Sequence, residues 1–137
     1  MNLLTVAVVL VLSVDATTGV GGIPGAPHDG GWPGPVALAA RLDELHRRRD
    51  DRGAFSEEQR LVQAGLARTP DDYGLLWRAA RFYFWASDDP SLPKEQRSRW
   101  GKDGWDIAER AIVGNPNDVA GYYWAALCMG NYVLGLG

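Results

Sequence analysis

The sequence predicts an all-α protein whose helical hairpins stack in a tetratricopeptide-like manner as a short right-handed solenoid, with about five helices after an N-terminal segment. One motif occurs twice, as TPDDYGLLWRAARFYF from Thr69 and as NPNDVAGYYWAALCMG from Asn115, and the copies are 46 to 47 residues apart. Repetition at this spacing is typical of stacked helical hairpins, because one hairpin cannot bury its apolar face alone. Every segment after Pro35 has helical spacing, and no run alternates as a half-buried strand does.

The composition and charge of the chain exclude several classes of function. The chain has 137 residues, 46% of them hydrophobic, and a net charge of −3, which indicates one globular domain. Acidic and basic residues are interspersed, so there is no basic face for a nucleic acid, and we expect no nucleic-acid partner. Cys128 is the only cysteine, which excludes an intramolecular disulfide and a cysteine-based zinc site. We expect no metal and no cofactor.

The N-terminal segment, Met1 to Ala16, contains an uncharged apolar run that is shorter than a membrane span. It is interpreted as a signal peptide cleaved after Ala16, which predicts a periplasmic or secreted protein. The alternatives are an uncleaved short anchor, favoured by the missing Lys or Arg before the run, and a buried strand. Residues 17–35 are rich in Gly and Pro and are predicted to be a linker. The helical-repeat domain then covers residues 36–137.

The first two helices are predicted from apolar spacing and from their ends. The first begins at Pro35, buries leucines at i, i+4 and i+7, carries Arg47 to Arg49 at its last turn, and ends at Gly53. Ser56 and Gln59 form an S-x-x-Q capping box that opens the second helix, which continues to Arg68. Pro70 prevents it from continuing.

The third helix, from Asp72 to about Ala86, is apolar nearly all round, which predicts that it forms the centre of the fold. The fourth, Lys94 to Val113, has small residues at three- and four-residue spacing and ends at a left-handed Gly114. The fifth begins near Asp118 and is still apolar at its far end, so either the repeat is incomplete there or another subunit covers this face.

Two families resemble this pattern. Trp77, Ala80 and Phe84, followed by Ala108 and Ala111, resemble the tetratricopeptide repeat. The segments Leu75–Trp77, Gly104–Ala111 and Asn115–Gly130 resemble the T components (TatT-type) of TRAP transporters more closely. That resemblance implies an extracytoplasmic scaffold that associates with a periplasmic solute-binding protein, as an accessory of a TRAP-type solute transport system, and that forms an oligomer.

A binding groove is predicted by taking Trp77 and Trp124 as packing positions. Offsets of −2, +1, +5 and +8 then share one helix side. Leu75 and Ala125 belong to this side, together with the candidate groove residues Arg78, Phe82, Trp85, Tyr122, Met129 and Tyr132. Such a surface suits an apolar ligand or a peptide with an acidic group, because Arg78 can clamp a carboxylate. The alternative is that these rings are core between stacked helices.

We therefore expect a scaffold that binds a protein, a peptide or a small apolar ligand. The alternative is a hydrolytic or other enzyme on a helical scaffold, but no catalytic motif is found, and no catalytic residue is named. Asp103 with Asp106, and Glu57 with Glu58, are interpreted as solvated helix faces.

Overall fold

The computed structural model describes residues 31–137, and in this part of the chain the regular secondary structure is all α-helix, without a strand. The predicted signal peptide and residues 17–30 of the predicted linker lie outside the described residues. The five helices are α1 (Pro35–Arg47), α2 (Arg52–Arg68), α3 (Tyr73–Ser87), α4 (Lys94–Gly114) and α5 (Val119–Leu136). The predicted all-α class and the predicted number of helices are therefore confirmed.

Aspartate caps start three of the helices. Asp72 accepts a hydrogen bond from the Leu75 amide at 2.7 Å, and Asp118 accepts one from the Ala120 amide at 3.0 Å, so α3 and α5 begin next to the two aspartates where they were predicted to begin. The start of α2 was predicted wrongly. Asp51, not Ser56, caps it, and Gly53 lies in its first turn. The Ser56 hydroxyl instead donates to the Arg52 carbonyl within the helix.

The end of α4 also differs from the prediction. Gly114 remains helical, and among the described residues only Gly31 has a positive φ. The chain leaves the helix at Asn115, whose amide still donates to the Ala111 carbonyl at 2.9 Å. A left-handed glycine is thus unnecessary, because an extended residue already turns the chain toward Pro116.

Helix α3 is the centre of the fold, as its apolar circumference predicted. It contacts all four other helices, whereas α1 and α2 approach only each other and α3 among the described helices. Its fully buried side chains include Leu76, Ala79, Ala80 and Phe82. Trp32, in the predicted linker, packs against the same core and stacks under the Arg68 guanidinium at 4.7 Å.

Helices α4 and α5 pack at very short distance because glycines face the neighbouring backbone. A Cβ on Gly101 would lie 2.6 Å from the Tyr132 nitrogen, and one on Gly104 would lie 2.6 Å from Cys128 Sγ. Only residues without a side chain allow this approach.

In the described part of the chain, no helix combines the length and apolar character needed to cross a membrane.

Candidate functional site

The predicted groove residues do not share one surface. Phe82 has no exposed area and packs its ring 5.1 Å from that of Phe55 in α2. Tyr122 and Met129 are exposed on the outer side of α5, while Tyr132 lies half-buried with its ring 6.0 Å from that of Trp105. The corresponding faces of α3 and α5 do not form one surface, because α1 and α2 cover this side of α3 and neither helix reaches α5.

Arg78 forms the predicted carboxylate clamp, but the carboxylate belongs to the chain itself. Its Nε and Nη2 donate to the two oxygens of Asp43 in α1 at 2.9 and 2.8 Å. Arg81 donates to the same Asp43 at 2.9 Å. Partial burial raises the pKa of Asp43, but the bonds from both arginines outweigh it and hold the pKa below its usual value. An acidic ligand would have to displace Asp43.

These groups belong to an α1–α3 polar cluster, which consists of Asp43, His46, Glu58, Arg78 and Arg81. Glu58 is only 1% exposed, so its prediction as a solvated face was wrong. Its Oε1 lies 3.3 Å from His46 Nδ1 and 3.9 Å from Arg81 Nη2, and neither of its oxygens makes a hydrogen bond within the cluster. Burial lowers the pKa of Arg81, although Asp43 opposes that effect.

The sequence held a signal for the burial of Glu58. It shares one helical face with the apolar stripe of α2, which comprises Ala54, Leu61, Val62 and Gly65. A carboxylate on such a stripe points to the core and needs basic partners there. The cluster therefore fastens α1 and α2 to α3, and it holds the end of α1 beside Trp85, whose ring lies 6.0 Å from that of His46.

Beside this cluster lies a cavity of about 400 Å³, here called the Trp85 pocket. It lies between the α1–α2 loop, the start of α2, the end of α3, the α3–α4 loop and α4. Its lining comprises Arg49, Asp50, Phe55, Trp85, Ala86, Asp88, Asp89, Pro90, Leu92 and Trp100. Of the predicted groove residues, only Trp85 borders it, with 38% of its surface exposed.

The Trp85 pocket combines aromatic walls with excess negative charge. Three carboxylates and one guanidinium line it, and the Arg49 guanidinium stacks 4.1 Å from the centre of the Trp85 ring. Hydrogen bonds from Ser91 lower the pKa of Asp89, so this carboxylate is ionised at neutral pH. Aromatic faces and carboxylates both attract cations, so the pocket suits a cationic group on an apolar stem.

Sequence reasoning missed Phe55, Trp100 and the acidic loop as parts of one site. The available signal was the position of Trp85 and Trp100 on either side of the loop SDDPSLP. By themselves, two adjacent carboxylates such as Asp88 and Asp89 indicate a polar turn rather than a cation site. Within residues 31–137, no group of three His, Cys, Asp or Glu side chains could hold a metal ion.

Comparison with known proteins gives one family. The sequence profile of the family described as regulator of microtubule dynamics protein 1-3 matches residues 38–134, which is more than half of the chain. No curated protein and no solved structure matches the chain. The assignment to the T components of TRAP transporters was therefore wrong. The Trp, Ala and Gly positions that suggested it report how helices pack, and unrelated helical repeats share such packing.

Proposed function

Since the chain belongs to the regulator of microtubule dynamics protein 1-3 family, we propose that it is a helical-repeat binding module that recognises a basic segment of a partner protein. The binding site is the Trp85 pocket. One observation carries the proposal: the pocket already stacks a guanidinium on Trp85 and still has an excess of carboxylates.

The helices are proposed to stack as a tetratricopeptide-like solenoid, with α1 and α2, then α3 and α4, as successive hairpins and α5 as the first helix of the next one. Two contacts support this arrangement. Arg81 Nη2 donates to the Leu42 carbonyl of α1, and Cys128 Sγ, one 47-residue repeat later, donates to the Ala80 carbonyl of α3. Contact only with near neighbours along the chain also fits a solenoid, because each repeat touches the adjacent ones.

Binding is favoured over catalysis by the state of the two acids in the α1–α3 polar cluster. Asp43 is held by two guanidinium groups, and Glu58 is closed off from solvent. A general acid or base must reach the proton it transfers, and neither group can reach a substrate in this arrangement. The family description names regulators of microtubule dynamics, a role that a module binding a partner protein can serve. We extend that role to this chain as part of the proposal.

A basic partner segment fits the pocket in charge and shape. A Lys or Arg side chain can lay its methylene stem against Phe55 and Trp100 while its charge meets Asp88 and Asp89. The predicted partnership with a solute-binding protein has lost its support together with the transporter resemblance. The extracytoplasmic location predicted from Met1 to Ala16 stays a prediction.

The test is a binding titration with two labelled peptides of equal length, one alternating Leu with Lys and the other alternating Leu with Glu. The Lys peptide is expected to bind and to change the tryptophan fluorescence of the protein, because Trp85 and Trp100 line the pocket. Asp88→Asn with Asp89→Asn should weaken binding by about twofold to thirtyfold, because each of the two exposed ion pairs contributes roughly 0.2–1 kcal/mol. Asparagine can still accept the Ser91 hydrogen bond, so the loop keeps its turn.

The matched control is Glu95→Gln with Glu109→Gln, which removes two exposed carboxylates of α4 that do not line the Trp85 pocket. This variant has the same net charge as the loop variant and should bind the Lys peptide nearly as the parent does. Preference for the Glu peptide, or equal losses in both variants, would refute the pocket as a site for basic segments.

A further inference from the structure

Helix α5 has an uncharged apolar side that nothing covers within residues 31–137. Its inner side faces α3 and α4 through Gly121, Ala125, Cys128 and Asn131, all of them buried. Its outer side carries seven exposed large apolar side chains, which are Val119, Tyr122, Tyr123, Met129, Val133, Leu134 and Leu136. We call this outer side the α5 face. No residue of α5 is charged.

The internal repeat shows what kind of element covers such a face. Subtracting 47 residues relates Tyr123 to Leu76 and Gly130 to Tyr83 on α3. On α3 these positions face α4: Leu76 lines a cavity with α4 residues, and a Cβ on Gly104 of α4 would lie 2.9 Å from Tyr83 Cβ. The α5 face is therefore shaped to receive a helix.

We propose that this helix is the α5 of a second copy of the chain, packed antiparallel across a two-fold axis. Among the five described helices, α5 alone has a wide face of exposed apolar residues in addition to its buried inner side. Judged from their exposed fractions, its seven side chains present on the order of 700 Å², near the ~800 Å² per partner of a standard-size interface. The uncharged face also meets itself without repulsion between like charges.

Small residues set the register of this pair. Ala126 and Gly130 lie at the middle of the α5 face, and a Cβ on Gly130 would meet no atom within 4 Å in the single chain. Closest approach is expected where Ala126 of one copy meets Gly130 of the other. Tyr123 then packs against Val133 of the second copy. This interface uses none of the Trp85 pocket residues and does not depend on the function proposed for them.

Sedimentation of the full chain over a range of concentrations tests the proposal. The parent protein is expected to dimerise, and Val133→Glu, at a position 57% exposed, should weaken the dimer at least tenfold. The control is Val36→Glu, which places the same charge at an 85% exposed valine on α1 and should leave the dimer intact. Circular dichroism and thermal unfolding check that both variants are folded.

A mixture tests the register. Tyr123→Lys should also weaken self-association, whereas mixing it with Val133→Glu should restore a dimer, because lysine and glutamate then face each other. A parent protein that stays monomeric at a concentration on the order of 100 µM, at which even a weak dimer forms, would overturn the proposal. So would a dimer that survives Val133→Glu, or one that Val36→Glu disrupts equally. Failure of the mixture to associate would refute the antiparallel register.

Discussion

Replacement of Gly101 by alanine tests one of the closest helix contacts in residues 31–137. The new Cβ would lie 2.6 Å from the Tyr132 nitrogen and 3.0 Å from its Cα, whereas ordinary contact begins at 3.4 Å. Both neighbouring atoms are backbone, so no side chain can rotate away and α5 itself must move. Overpacking costs typically 1–3 kcal/mol, and we expect about 3 kcal/mol here. Alanine recovers about 1 kcal/mol through its higher helix propensity.

The net loss is thus about 2 kcal/mol of unfolding free energy, or a fall in Tm of roughly 8–16 °C for a domain of this size. Urea unfolding followed by circular dichroism measures it. Gly114→Ala is the control in the same helix, because its Cβ would meet nothing within 4 Å. That variant should be unchanged or up to about 1 kcal/mol more stable. Equal stability of the two variants would show that α4 and α5 are not packed as closely as described.

Two further predictions concern ionisable groups. Asp43→Asn should lower the unfolding free energy by about 2 kcal/mol, because charged hydrogen bonds contribute roughly 1.5–3 kcal/mol each and Asn keeps one acceptor. The folded pKa of Asp43 lies below its usual 3.8, so its contribution is present above that pH and disappears as pH falls through the folded value. Denaturant titrations from pH 7 to pH 2 should therefore show a shallower acid decline in the variant; an unchanged decline would contradict the Asp43 contacts. Burial raises the pKa of Cys128 from 9.0 to about 12, so native protein should resist iodoacetamide at pH 9 and react only when unfolded, as mass spectrometry can measure. Between these two values the unfolded thiol ionises first, so stability should fall as pH rises from 9 to 12, and rapid native alkylation would contradict the burial.

The sequence by itself determined the helices and their order. Apolar spacing, the prolines and the aspartate caps are local features, and hydrogen bonds within a few residues decide where a helix begins. The all-round apolar pattern of α3 also sufficed to place it at the centre, since a helix without a polar side must be covered everywhere. The two errors were also local: Ser56 was taken as the helix cap in place of Asp51, and Gly114 was taken as the end of α4 in place of Asn115.

The tertiary structure alone decided which side chains meet. Asp43 and Arg78 are 35 residues apart, and the Trp85 pocket takes its walls from three helices and two loops. Periodicity states that a residue faces a neighbour but not which neighbour, so Arg78 appeared free for a ligand although Asp43 already occupied it. The groove prediction failed for the same reason. Corresponding positions on α3 and α5 have different neighbours, because α1 and α2 cover α3 and do not reach α5.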